Sequence, residues 1–165
     1  MLTESVLSAA RGAGGETKRN VDLSALVESL CTDLDEMGEP VHWDMSAPAP
    51  IVCRPNEIRR AVRNLVENAV AYGSKADVQI ANSSDGYDIV VEDEGPGIPE
   101  DERIRVFEPF VRLESSRNTA TGGTGLGLTL AKAIAEGHGG VIVLENRHGG
   151  GLRARMHLPR MAAHA

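Results

Sequence analysis

Aromatic side chains are scarce in this sequence: two Phe, two Tyr and one Trp make up 3% of 165 residues. A chain so poor in rings offers no platform on which the bases of a single strand could stack. Its core must come from Val, Leu, Ile and Ala, which suits helices laid on a sheet. Basic charge is also in deficit, with a formal net charge of −7. No footprint for DNA, RNA or anionic lipid follows from such a balance, so no nucleic-acid partner is expected. The two cysteines, Cys31 and Cys53, lack metal-type spacing and stand in apolar surroundings, as reduced structural thiols do. No apolar run approaches the roughly 18 residues of a membrane span. The opening MLTESVLSAA lacks the basic start and long apolar stretch of a signal peptide. These absences together predict a cytoplasmic chain. With 41% hydrophobic residues, the length suffices for one domain with a substantial core and is too short for two large ones.

The stretch most suggestive of chemistry is Asp93 to Pro99, DEGPGIP, echoed by Gly122 to Leu128, GGTGLGL. Before the first lie two runs rich in β-branched residues, ADVQIAN and YDIVVED, around the turn signal SSDG. That is a hairpin pattern, and it sets Asp93 at the end of a buried strand. Gly95 and Gly97 let the backbone turn sharply and approach a ligand closely. A carboxylate there can accept a hydrogen bond from the exocyclic amine of a planar heterocycle, selecting adenine over guanine.

Pro55 to Tyr72, PNEIRRAVRNLVENAVAY, opens with a proline suited to a first helical turn. Ile58, Ala61, Val62, Leu65, Val66 and Ala69 fall on one helical face, which is the predicted core face. Asn64, Asn68 and Tyr72 form a second stripe at i, i+4 and i+8. An Asn carbonyl oxygen is a hard, neutral ligand for Mg²⁺ shared with phosphate oxygens and water.

The order NLVENAVAY, DEGPGIP, FEPF, GTGLGL resembles the N, G1, F and G2 boxes of the ATP-binding domain of sensor histidine kinases, in the superfamily that includes gyrase, Hsp90 and MutL ATPases. The resemblance covers roughly residues 21 to 159. It implies an α/β (α+β) two-layer sandwich of Bergerat type, a mixed, mostly antiparallel sheet with three main helices on one face. It also implies ATP and Mg²⁺ held between the Asn helix and a lid. By the same resemblance Asp93 reads the adenine amine, Gly95 and Gly97 border the base, Asn68 binds the metal, Asn64 stands near the phosphates, and Tyr72 lies near adenine and ribose. Gly123, Thr124, Gly125, Leu126 and Gly127 present backbone amides to phosphate at a helix start, where the dipole is positive; the Leu126 and Leu128 side chains are read as packing.

Asn64 helps to choose within the superfamily. Its ATPases and serine kinases typically carry a Glu there as general base, and an amide cannot take the proton. A neutral imidazole already has a lone pair for attack, so Asn64 favours transfer to histidine over hydrolysis. Glu67, about 100° round the helix from Asn68, has at most a polar role. One position departs from the family pattern: Ala71 stands where Lys or Arg is common. Arg112 and Arg117, in FVRLESSR, are the substitutes expected to meet the phosphate charge and the transferring group.

Along the rest of the chain, residues 1–20 read as the end of a dimerisation helix and a linker, RGAGGETKRN, followed by the catalytic domain over 21–160 and a tail over 161–165. Val21 to Met37 is predicted as an amphipathic helix capped by Asp22 or Ser24, with Leu26, Leu30, Leu34 and Met37 buried. Val41 to Met45 and Ile51 to Cys53 read as short strands around a proline-rich turn, with His42 and Trp43 as packing or edge residues. PEDERIRVF suggests a short helix, and Phe107 and Phe110 anchors or a latch in the lid. Thr124 to Glu136 is the third helix, and His138 is expected to favour its C-terminal dipole. Val141 to Leu144 and Leu152 to Leu158 make a last hairpin around NRHGGG.

None of His42, His138, His148, His157 and His164 lies in the SHExRTP-like segment in which such kinases phosphorylate themselves. The chain is thus expected to be a monomer that binds ATP without autophosphorylating. It would serve a histidine on a dimerisation domain of a longer inner-membrane sensor, with a response regulator downstream. Two alternatives stay open: a stand-alone ATPase or serine kinase, and a nucleotide-sensing adaptor without catalysis.

Overall fold

The computed structural model describes residues 16–45, 47–95, 127–147 and 150–160, the side chain of Tyr72 excepted. Its elements run β1 (Arg19–Asp22), α1 (Leu23–Glu36), β2 (Val41–Asp44), β3 (Pro50–Cys53), α2 (Pro55–Gly73), β4 (Ala76–Asn82), β5 (Gly86–Glu92), α3 (Gly127–Gly137), β6 (Val141–Asn146) and β7 (Leu152–Pro159).

Five strands form the main sheet in the order β2-β4-β5-β7-β6, with β2 and β4 parallel and the other neighbours antiparallel. Period-2 alternation decides which face is covered. Tyr87, Ile89 and Val91 of β5 lie opposite Leu158, Met156 and Ala154 of β7, and all six are buried. The residues between them point the other way: Asp88 faces His157 at 2.8 Å, and Glu92 faces Arg153 at 2.6 Å. One face is therefore apolar and covered, the other is ion-paired across strands, and the architecture is the expected two-layer sandwich.

The covering layer is the three helices. The predicted core residues of α2, Ile58, Ala61, Val62, Leu65, Val66 and Ala69, are all buried. Each large one contributes roughly 1.5–3 kcal/mol by leaving water. This helix packs on both other helices and on β4, β5 and β7, while α3 packs on β6 and β7. Glu16 caps α2 across 40 residues of sequence, its two carboxylate oxygens accepting the N–H groups of Asn56 (2.9 Å) and Glu57 (3.1 Å). Those donors are orphans at any helix start.

The first helix departs from expectation. Residues 21 and 22 are strand, paired with β3 in a separate two-stranded sheet, and the helix begins at Leu23. Asp22 is the N-cap: one oxygen accepts the N–H of Ser24 at 3.1 Å and that of Ala49 at 2.8 Å, so a single carboxylate both starts the helix and ties it to the β3 entrance. The buried stripe becomes Leu23, Val27, Leu30, Cys31 and Leu34. Leu26 is only half-buried, and Met37, past the last helical turn, is 66% exposed. The two short strands expected around the proline-rich turn are present as β2 and β3, and they belong to different sheets. His42 is exposed on the edge strand, and Trp43 packs against the core. Both cysteines are buried free thiols, pushed by burial to about 12 for Cys31 and about 11 for Cys53.

His138 is corrected too. It is 5% exposed, its Nε2 accepts the backbone N–H of Arg54 at 3.0 Å, and Nδ1 lies 2.8 Å from Ile134 O. Nε2 can accept only if unprotonated, so the proton sits on Nδ1 and the ring is neutral. Burial first, and Arg54 and Lys18 after it, hold its pKa below the ordinary value against the opposing Ile134 carbonyl and Glu57. It is a neutral clasp between the start of α2 and the end of α3, and carries no charge for the helix dipole.

Candidate functional site

The main sheet, α2 and the start of α3 enclose a pocket of about 270 Å³, counting the space open to solvent. Leu65, Asn68 and Ala69 line it from α2, Val91 and Asp93 from the end of β5, Leu128 from α3, and Leu144, Leu152 and Ala154 from β6 and β7. Two residues 25 positions apart in the sequence, Asn68 and Asp93, are thereby brought to one apolar slot as its polar groups.

Asp93 is 3% exposed and held with care. Its Oδ1 accepts two backbone N–H groups, from Gly95 at 2.8 Å and Leu152 at 3.1 Å. Its own N–H donates to Leu152 O at 3.0 Å. Among the described residues both donors to the Asp93 carboxylate go to Oδ1. Burial pushes the carboxyl above its ordinary pKa, while the Gly95 and Leu152 amides and the Arg147 charge pull it back. Two glycines make room for it. A Cβ on Gly73, the last residue of α2, would lie 2.4 Å from the Asp93 side chain. On Gly151 it would stand 2.0 Å from the Asp93 carbonyl oxygen, at a φ of +99° that L side chains rarely adopt.

Gly95 thus serves first to fix Asp93. Asn64 lies one turn before Asn68 on the half-buried side of α2 and is not among the residues lining the pocket. Glu67 points outward and pairs with Arg63 at 3.1 Å. Gly127 is the first residue of α3, and Leu128 is both core and pocket wall. Tyr72 is in the last turn of α2, its side chain outside the described residues. Gly97, Phe107, Phe110, Arg112, Arg117, Gly123, Thr124, Gly125 and Leu126 also lie outside them. Sequence reasoning missed Gly73, Arg147, Gly151 and Leu152; the glycine run after Arg147 was the available signal.

No described helix is long and apolar enough to cross a membrane. A family model described as histidine kinase-, DNA gyrase B-, and HSP90-like ATPase matches residues 53–162. Over 144 residues, 86% of this chain and 32% of the relative, the sequence is 33% identical to sensor histidine kinase CpxA of Escherichia coli K12. Over 146 residues, 88% of this chain and 30% of the relative, it is 36% identical to sensor histidine kinase GtrS of Pseudomonas aeruginosa. The chain therefore spans about a third of the length of these curated relatives. Among solved structures, the ATP binding domain of PrrB from Mycobacterium tuberculosis superposes with a TM-score of 0.72 at 32% identity, covering 88% of this chain and 98% of that one. The matched region contains α2, the β4–β5 hairpin, Asp93, α3 and the last hairpin, which is every element that builds the pocket. The chain belongs to the family of histidine kinase-, DNA gyrase B- and HSP90-like ATPases.

Proposed function

We propose that the chain is the ATP-binding catalytic domain of a two-component sensor kinase, transferring the γ-phosphoryl of Mg·ATP to a histidine on a dimerisation domain. On this reading a response regulator takes the phosphoryl group next, and the domain works on the cytoplasmic side of an inner-membrane parent. The observation that carries it is the meeting of Asn68 and Asp93 in one apolar slot.

The donor set suits the ligand. The Asp93 carboxylate is an acceptor in a slot lined by Leu65, Val91, Leu144 and Leu152, where an exocyclic amine finds a partner and the ring leaves water. Among the described residues no cluster of three or more His, Cys, Asp or Glu can hold a metal. A single neutral amide oxygen, that of Asn68, is what Mg²⁺ needs when phosphate oxygens and water complete its shell. Bound Mg·ATP supplies the transferable phosphoryl group and the cation that screens its charge. Asn68 orients the phosphate end. Asn64, one turn along, is an amide and removes no proton from water, which favours transfer over hydrolysis. The amides of 123–127 face the phosphates at the start of α3, Tyr72 borders the ribose, Gly97 the base, and Arg112 and Arg117 act on the charge that develops during transfer.

Calorimetric titration with a non-hydrolysable ATP analogue, with and without Mg²⁺ and with the GTP counterpart as control, tests the site. Mg-dependent binding of the adenine nucleotide alone is expected. Adding a dimerisation domain from a relative should then yield acid-labile phosphohistidine; release of free phosphate instead would refute the transfer.

A further inference from the structure

A residue that does not line the pocket holds the main chain of Asp93. Arg147 is the first residue after β6, in a turn closed by its own N–H to Gly151 O at 2.8 Å and by Gly150 N–H to Arg147 O at 3.1 Å. From there its Nη1 donates to the main-chain oxygen of Asp93 at 2.7 Å. Its Nε stands 3.7 Å from Glu92 Oε1, and the other oxygen of Glu92 is held by Arg153 at 2.6 Å. One guanidinium thus grips two consecutive residues at the end of β5, a task that suits a rigid planar fork. The peptide whose oxygen it holds leads through Glu94 to Gly95, and Gly95 N–H is one of the two donors fixing Asp93 Oδ1. Turning that peptide moves the Gly95 donor, and with it the direction in which Oδ2 points. Gly151 closes the other side of the same carbonyl, leaving no room for a Cβ. Arg147 is not among the described residues that line the pocket, and its hydrogen bond to the site is to the Asp93 main chain.

We propose that Arg147 is a positioning residue for base recognition: by gripping the Asp93 carbonyl it aims the Asp93 carboxylate, and so sets the preference for a purine that carries an amine at C6. This rests on the reading of Asp93 as the group that meets that amine.

The test is a comparison of two ligands on the 165-residue chain: a non-hydrolysable ATP analogue, and the matching purine nucleotide without the 6-amino group. Arg147→Met should weaken the ATP analogue roughly tenfold, as loss of a hydrogen bond to a charged donor does, and the des-amino nucleotide less than about twofold. Arg147→Lys, which keeps one donor but loses the fork, should fall between, and it carries the same comparison should Arg147→Met not fold. Equal losses for both ligands, or no loss for either, would overturn the role of Arg147. A wild-type chain that binds the two nucleotides equally well would instead overturn the reading of Asp93, so the two ideas fail by different results.

Discussion

His138 Nε2 accepts the backbone N–H of Arg54 at 3.0 Å, across 84 residues of sequence. Protonating that nitrogen would set one N–H against another in a buried site, with Arg54 and Lys18 adding to the cost and the Ile134 carbonyl and Glu57 offsetting part of it. The pKa of His138 is lowered on folding, so the stability that its neutral form provides is complete above the ordinary value of 6.5 and is lost as pH falls toward the folded value. At pH 8, His138→Leu should be less stable than wild type by roughly 1–3 kcal/mol, the cost of leaving a buried donor unpaired. Below pH 6.5 that difference should narrow. Urea melts of both proteins between pH 8 and pH 5 measure it, and a constant difference would mean that the ring does not titrate as described.

Asn68 lines the pocket with a neutral amide, while its neighbour Glu67 points outward to Arg63. Asn68→Ala should retain its melting temperature within a few degrees and lose Mg-dependent nucleotide binding. A folded variant that still binds Mg·ATP with full affinity would refute the metal assignment.

Asp93→Asn separates stability from binding. The carboxyl pKa is raised on folding, so protonation stabilises the fold: that contribution is full below 3.8 and gone once pH has risen through the folded value. At neutral pH the charge is therefore a burden on the fold, which an amide relieves while still accepting from Gly95 and Leu152. The variant should melt at the same or a higher temperature than wild type. It should nonetheless bind the ATP analogue at least roughly tenfold more weakly, because an amide donor now faces the adenine amine. Paired calorimetry and thermal melts decide it.

Ser74 ends α2 at a φ of +74°, its N–H bonded to Val70 O at 3.0 Å. A side chain in the left-handed region carries a steric cost that glycine avoids. Ser74→Gly should stabilise the chain by roughly 0.5–1 kcal/mol after the extra freedom of the unfolded state is allowed for. Denaturant titration at a single pH reads this directly.

Much of the fold was legible wherever the signal was local. The face of α2 and the β4–β5 hairpin are encoded within runs of under twenty residues, and the structure places their ends close to where periodicity and SSDG put them. The aligned Asn pair and the strand-end Asp drew attention to the site, because their residue types are unusual for those positions. What stayed hidden depends on partners far along the chain. Residues 19–22 pair with β3, some thirty positions on, so 19 and 20 are strand where a linker was expected and 21 and 22 are strand where a helix was expected. His138 looked like a helix-end cation until Arg54, 84 residues earlier in the sequence, fixed its tautomer. The glycine run after Arg147 marked a turn but did not name its partner, Asp93, 54 residues earlier. Side chains that act through distant backbone atoms leave no periodic trace.

The helix α2 is gripped at both ends by other parts of the chain. Glu16 clamps its first amides, and Gly73, its last residue, rests against the Asp93 side chain. Nineteen helical residues make a rod of roughly 28 Å that resists compression along its axis. The stretch leading into β1 and the pocket wall at Asp93 are thus held at opposite ends of one helix, so the helix that carries Asn68 is fixed in its lengthwise position from both sides.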